Sequence, residues 1–143
     1  SARAHFKLDP ETTYACCIGR LSHEKGQDVL LRAVGLIKDR AKNFCVMFAG
    51  DGPDREKLDA LTRELGIEHM VKFLGHQKKV ATVYRASDFM IMPSRSEAMP
   101  NALLESNALG VPVIATRVGG ATRTACFSVR SSSASNVPSS AAS

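Results

Sequence analysis

Two glutamates, Glu97 and Glu105, stand eight positions apart in the stretch Pro93-Ser-Arg-Ser-Glu-Ala-Met-Pro-Asn-Ala-Leu-Leu-Glu-Ser106. Pro100 suits the first turn of a helix. That placement leaves the N–H groups of Asn101, Ala102 and Leu103 without intrahelical acceptors, and such groups hold anions. Asn101 and Glu105 are four apart and share a helix face, so Glu105 looks back toward the helix start. Carboxylates accept hydrogen bonds from sugar hydroxyls. A ligand that is part sugar and part phosphate would use both acids and the helix end between them. The same spacing also suits a capping Glu97 and a solvated Glu105, and on spacing alone that blander reading is the commoner one.

A second cluster is Gly19-Arg20-Leu-Ser-His-Glu-Lys25-Gly26. Gly19 allows a tight exit from a strand. Arg20 offers a planar fork of donors and Lys25 a point charge, and two such cations at a helix mouth suit a diphosphate. They equally suit a solvated surface, paired with Glu24 or Asp28. No G-x-x-x-x-G-K-[ST] loop is present. Gly50-Asp51-Gly52-Pro53 either lets a ligand approach the backbone or only turns the chain. His23, His69 and His76 read as surface turn residues, Asp88 as a strand start, and Met90, Met92 and Met99 as packing residues. Cys16, Cys17, Cys45 and Cys126 form no C-x-x-C pair. The first three lie in apolar runs and read as buried free thiols in a reducing compartment.

These groups need a scaffold. Short apolar runs at Tyr14–Ile18, Phe44–Ala49, Val71–Leu74, Phe89–Met92 and Val111–Ala115 alternate with helical spacing at Lys25–Arg40, Pro53–Leu65, Lys78–Ala86 and Pro100–Leu109. Pro93 is expected to stop the fourth strand. Pro112 lies within the fifth, where it donates no ladder hydrogen bond. Gly66 and Gly110 end helices. The alternation predicts an α/β fold: a Rossmann-like, doubly wound parallel sheet of about five strands. Its ligands would lie beyond the carboxyl ends of the strands, where every candidate above falls.

Three segments are expected. Residues 1–12 read as the end of an interdomain linker, and residues 13–122 as an incomplete nucleotide-sugar-binding domain. Residues 123–143 contain no acid and many serines, and they read as an unstructured tail apart from a short Ala125–Val129 patch. In the strand order 3-2-1-4-5, the fifth strand would then be an exposed edge. The composition, 44% hydrophobic and 23% charged, is that of a globular domain, and no apolar run approaches a membrane span. The N-terminus lacks both a Met and an apolar leader, so the chain reads as a fragment or processed piece. The net charge of +5 is carried by basic residues interleaved with acids. This argues against nucleic acid and leaves an anionic ligand or membrane face open.

Taken in order, G-R-L-S-x-E-K-G, F-A-G-D-G-P, V-K-F-L-G, A-S-D-F-x-I-M-P-S-R-S-E-A-M-P-N-A-L-L-E and G-V-P-V-I-A-T-x-V-G-G resemble the C-terminal, donor-binding domain of the retaining glycosyltransferases of family 4. The resemblance covers about Cys16 to Gly120. It implies half of a GT-B fold and a nucleotide-diphosphate sugar as donor, such as a UDP-, GDP- or ADP-sugar. It implies that Arg20 and Lys25 hold the diphosphate beside Gly19. Glu97 positions the transferred sugar as the electrostatic catalytic residue, and Glu105 holds the ribose. The backbone of Ala98, Met99, Pro100, Asn101 and Ala102 meets phosphate and sugar, and Phe73, Leu74 and Gly75 lie near the base. No D-x-D is present, which agrees with members of the fold that use no metal or other cofactor. The acceptor would be a glycan or lipid-linked molecule held by an N-terminal domain, missing here. The enzyme would be cytoplasmic, with peripheral association at the inner membrane face by analogy, in polysaccharide assembly. A nucleotide-sugar binding module without transfer activity and a non-functional remnant stay open. Ala98 stands where glycine is usual, and beyond Gly120 family similarity is expected to stop, with the tail foreign after a truncation.

Overall fold

The computed structural model describes residues 1–94, 108–117, 125–129 and 139–142. Five parallel strands form the sheet's main part: β1 (Thr13–Ile18), β2 (Phe44–Ala49), β3 (Val71–Gly75), β4 (Phe89–Ser94) and β5 (Val113–Arg117). Two antiparallel strands, β6 (Ala125–Val129) and β7 (Ser139–Ala142), extend it beyond β5. The order is β3-β2-β1-β4-β5-β6-β7. The winding reverses between β1 and β4, which is where such sheets open a crevice at their carboxyl ends.

The pleat sorts side chains onto two faces. On β1 and β2, Ala15, Cys17, Val46 and Phe48 face one core, closed by α2 (Gln27–Ile37) and α3 (Arg55–Leu65) through Leu30, Leu31, Val34, Leu58 and Leu61. Tyr14, Cys16, Cys45, Met47 and Ala49 face the other. That second core is closed by α4 (Val80–Ala86) and a short N-terminal helix, α1 (Ala2–His5), with Val83, Tyr84, Phe6 and Leu8. Both faces are buried, so β1 and β2 read as continuous apolar runs rather than as alternating ones.

Cys16, Cys17 and Cys45 are buried free thiols. Burial pushes Cys16 and Cys45 up to about 11 and Cys17 higher still, with Cys16 beside it adding to the rise.

Several boundaries differ from expectation, each for a local reason. The helix expected over Lys25–Arg40 is split. His23–Lys25 form a 3-10 turn, Gly26 takes φ +69°, and α2 runs only from Gln27 to Ile37. Pro53 does not open α3, because the Asp54 N–H donates to the Leu21 carbonyl and the helix begins one residue later. Pro93 does not stop β4. It pairs with Thr116 inside the strand. Met90 donates to Pro112 on the β5 side, so by the two-residue alternation Pro93 turns its missing N–H toward β1. Pairing of β4 with β1 ends at Met90, so no ladder bond is lost there. Pro112 precedes β5 and contributes its carbonyl to Met90.

The expected exposed edge at β5 is also corrected. Each residue from Val113 to Arg117 pairs with β6. Of the segment 123–143, expected to be unstructured, the described residues are β6 and β7.

Residues 1–12, expected as the end of a linker, are tied to the domain at several points. Arg3 Nη2 donates to Asp88 Oδ2 at 2.7 Å, and its guanidinium lies over the Tyr14 ring at 5.4 Å. Asp88 Oδ2 also accepts from the Tyr14 N–H at 2.8 Å, and the Asp9 N–H donates to the Tyr14 hydroxyl at 3.0 Å.

Candidate functional site

The carboxyl ends of β1, β2 and β3 are laced together by backbone hydrogen bonds. Gly19 donates to Ala49, Leu21 donates to Asp51, and Gly50 donates to Gly75, at 3.0, 3.0 and 2.8 Å. Asp54 returns a bond to Leu21. The two glycines of Gly50-Asp51-Gly52-Pro53 serve this contact. A Cβ on Gly50 would lie 2.0 Å from the Gly19 carbonyl oxygen, and one on Gly52 would lie 2.3 Å from that of Leu21. What approaches this backbone is therefore the neighbouring loop. The loop also anchors itself: Gly52 N–H donates to Asp51 Oδ1.

The first loop is held from below. Leu21 and Ser22 are buried, and Gln27, also buried, donates from Nε2 to the Arg20 carbonyl at 2.8 Å. Gln27 is a positioning residue that the sequence reading passed over. Its signal was a polar side chain, one residue after a helix-opening glycine, at a position the helix turns inward. With its carbonyl fixed, Arg20 is presented outward and lines a shallow cleft with Asp51, Gly52 and Pro53. Lys25 is half-buried, and its Cε lies 4.0 Å from where a Gly19 Cβ would be. Gly19 takes φ +145°, a conformation that favours glycine, and a Cβ there would only touch the lysine stem.

Hydrogen-bond donors in this loop act on Glu24. Its carboxyl is held below the ordinary carboxylate range, first by its own backbone N–H and then by the Ser22 hydroxyl, which donates at 2.8 Å. Arg20 and Lys25 add to that lowering.

At the β3 end the three candidates part company. The Phe73 ring stacks on Phe48 at 5.3 Å and lies beneath the Arg55 guanidinium at 4.5 Å, so it is committed to the α3 face. Leu74 packs toward the opposite core, and its carbonyl accepts from Gln77 Nε2 at 2.8 Å. Gly75 takes φ +73°, and a Cβ there would meet nothing within 4 Å. Of the three, Gly75 borders open space at the strand ends, although its carbonyl is taken by the Gly50 N–H.

The structure thus brings Gly19, Arg20, Lys25 and Gly75 to one edge of the sheet. Glu97, Ala98, Met99, Pro100, Asn101, Ala102 and Glu105 lie outside the described residues and follow β4 in the sequence. Among the described residues no cluster of three His, Cys, Asp or Glu side chains is placed to hold a metal ion. No described helix is long and apolar enough to cross a membrane.

Comparison with known proteins bears on this arrangement. The chain is 42% identical over 130 residues to D-inositol 3-phosphate glycosyltransferase of Rhodococcus opacus. It is 40% identical over 112 residues to the same enzyme of Corynebacterium jeikeium. These matches cover 84% and 72% of this chain but only 29% and 27% of the relatives, so the chain spans under a third of their length. Among solved structures, the fold matches WaaG, a glycosyltransferase involved in lipopolysaccharide biosynthesis, with a TM-score of 0.74 and 26% identity. It matches Anabaena HepE in complex with UDP with a TM-score of 0.72 and 26% identity. Each covers 83% of this chain and about a third of the other. The family model for glycosyl transferases group 1 matches residues 1–129. That range is wider than the Cys16–Gly120 expected from motifs. The chain belongs to the glycosyl transferases group 1 family and carries its GT-B-type, Rossmann-like domain.

Proposed function

We propose that this chain is the donor-binding part of a retaining, family 4 glycosyltransferase, acting with an N-terminal domain that holds the acceptor. The donor is a nucleotide-diphosphate sugar. The observation that carries this reading is the pair Arg20 and Lys25 on one braced loop at the switch point of the sheet. The fixed Arg20 carbonyl and the Lys25 stem against Gly19 support it. The HepE complexes contain UDP and UDP-glucose, which favours a uridine nucleotide as the first donor to test.

In this reading Arg20 and Lys25 stabilise the charge that builds on the leaving diphosphate. Glu97 positions the transferred sugar and steadies its developing positive character, and Glu105 takes the ribose hydroxyls. The N–H groups of residues 101–103 add fixed dipoles, and the open space beside Gly75 takes the base. No step requires a metal, in keeping with the absence of a D-x-D in the sequence. The acceptor is a glycan or a lipid-linked molecule, and the complete enzyme works at the cytoplasmic face of a membrane. Alone, this part binds donor and transfers nothing.

Calorimetric titration with UDP, GDP and ADP, repeated on Arg20→Ala and Glu105→Ala, tests the reading. One nucleotide should bind, weakened at least tenfold by either change, or about 1.4 kcal/mol. Binding of a nucleotide that neither change weakens would overturn the assigned site. Donor binding with no transfer after an acceptor domain is supplied would leave a binding module instead.

A further inference from the structure

Arg20 and Lys25 stand on backbone that is held from several sides. The neighbours of Arg20 are fixed to the β2 end, Gly19 donating to Ala49 and Leu21 to Asp51. The carbonyl of Arg20 itself is held by a side chain, Gln27 Nε2, at 2.8 Å. Gln27 is the first residue of α2 and follows Lys25 by two positions. Between the two cations the chain turns tightly, with Lys25 donating to Ser22 and Gly26 to His23 at 3.0 and 3.2 Å. The Gln27 amide therefore closes the segment 20–27 into a ring, with Arg20 at one end and Lys25 near the other.

Gln27 is 2% exposed, and among the described residues nothing donates to its Oε1. A buried amide with an unused oxygen costs stability, and an apolar side chain of the same length would fill the space without that cost. What the amide contributes is placement. Leu30, Leu31 and Val34 anchor α2 in the core, and the Gln27 bond carries that rigidity to the backbone of Arg20. A diphosphate has two anionic groups and uses both cations only when their separation matches its own. A monophosphate is met by either cation alone. Setting the separation in advance removes an ordering cost from binding, and that favours the diphosphate.

We infer that Gln27 determines the specificity of this site for a nucleoside diphosphate over the monophosphate. It does so as a positioning residue: by tying the Arg20 carbonyl to the helix that follows Lys25, it sets the spacing of the two cations. The inference rests on the reading of Arg20 and Lys25 as the diphosphate site, and it adds a buried residue that tunes that site from beneath.

The test is a double-mutant cycle. The chain, Gln27→Met, Arg20→Ala and the double variant are titrated calorimetrically with UDP, GDP and ADP, and with the monophosphate of whichever binds. Methionine keeps the length and apolar stem of Gln27 and removes the donor. Gln27→Asn, too short to reach the Arg20 carbonyl, serves as a second variant where urea unfolding shows that methionine disturbs the fold. Gln27→Met should weaken the diphosphate about fivefold or more and the monophosphate less than about twofold. Beside Arg20→Ala it should weaken the diphosphate by less than about a further twofold, because it acts through Arg20. Equal losses for the two nucleotides, no loss for either, or a full loss that persists beside Arg20→Ala overturns the inference while the site stands. No nucleotide bound, or binding that Arg20→Ala does not weaken, overturns the site and the inference together.

Discussion

The Gly19 carbonyl occupies the space where a side chain on Gly50 would begin: a Cβ there would lie 2.0 Å from that oxygen. The contact locks the β1 loop, which presents Arg20 and Lys25, against the end of β2. Gly50→Ala must displace backbone rather than a flexible side chain, and its φ of +148° is strained for any other residue. It should cost about 3 kcal/mol or more, from overpacking and strain together. Gly75→Ala meets open space, so only the cost of its φ of +73° applies, about 1–2 kcal/mol. Urea unfolding of both variants checks the ranking. Equal losses would mean that the interlock between the loops does not matter.

Phe73 is held between Phe48 and Arg55. Its ring is therefore a stability element, and a base at the strand ends would meet the backbone beyond it. Phe73→Leu should lower stability by about 1–2 kcal/mol, through the lost stacking and cation–π contact. Nucleotide affinity, read by calorimetry on the folded variant, should stay within about threefold of the parent (about 0.65 kcal/mol). A tenfold loss with intact folding would place the ring in the base site.

Asp88 joins the N-terminal helix to the sheet by accepting from both Arg3 and the Tyr14 N–H. Asp88→Ala leaves the Tyr14 N–H short of an acceptor and frees Arg3, for a loss of about 2 kcal/mol. Arg3→Ala removes only the partly exposed ion pair and should cost about 1 kcal/mol or less. In hydrogen exchange, Asp88→Ala should also raise the rate at residues 3–8. Unchanged protection there would show that α1 is held by Phe6 and Leu8 alone.

Burial holds Cys16 and Cys45 protonated up to about 11 in the folded chain, against an ordinary value of 9.0. Between those values the unfolded chain loses protons that the folded chain keeps. Stability from these thiols is complete below about pH 9 and falls as pH rises toward 11, by about 1.4 kcal/mol per pH unit for each thiol. Urea melts from pH 8 to 11 should show the decline, and Cys16→Ala should make it shallower. At neutral pH, Cys16, Cys17 and Cys45 should react with a thiol reagent only on unfolding. Rapid labelling of the native chain at those three positions would contradict their burial.

The amino-acid sequence by itself determined the α/β alternation, the two-sided burial of β1 and β2, and the family. These follow from local regularities: apolar runs of strand length, helical spacing between them, and motifs in a set order. It also singled out Arg20 and Lys25, because charged residues after a strand-ending glycine stand out in the text. Tertiary structure alone decided the rest. Gly50 and Gly52 serve the neighbouring loop, since the atom that fills their missing side-chain space comes from residues about thirty positions earlier. Pro93 sits inside β4 because pairing with β1 has already ended, a matter of register between strands about 75 residues apart in sequence. β6 and β7 cover the β5 edge, and no period in a serine-rich segment announces a partner. Asp88 accepts from both Arg3 and the Tyr14 N–H, and only the packing of α1 on the sheet brings such distant groups to one place.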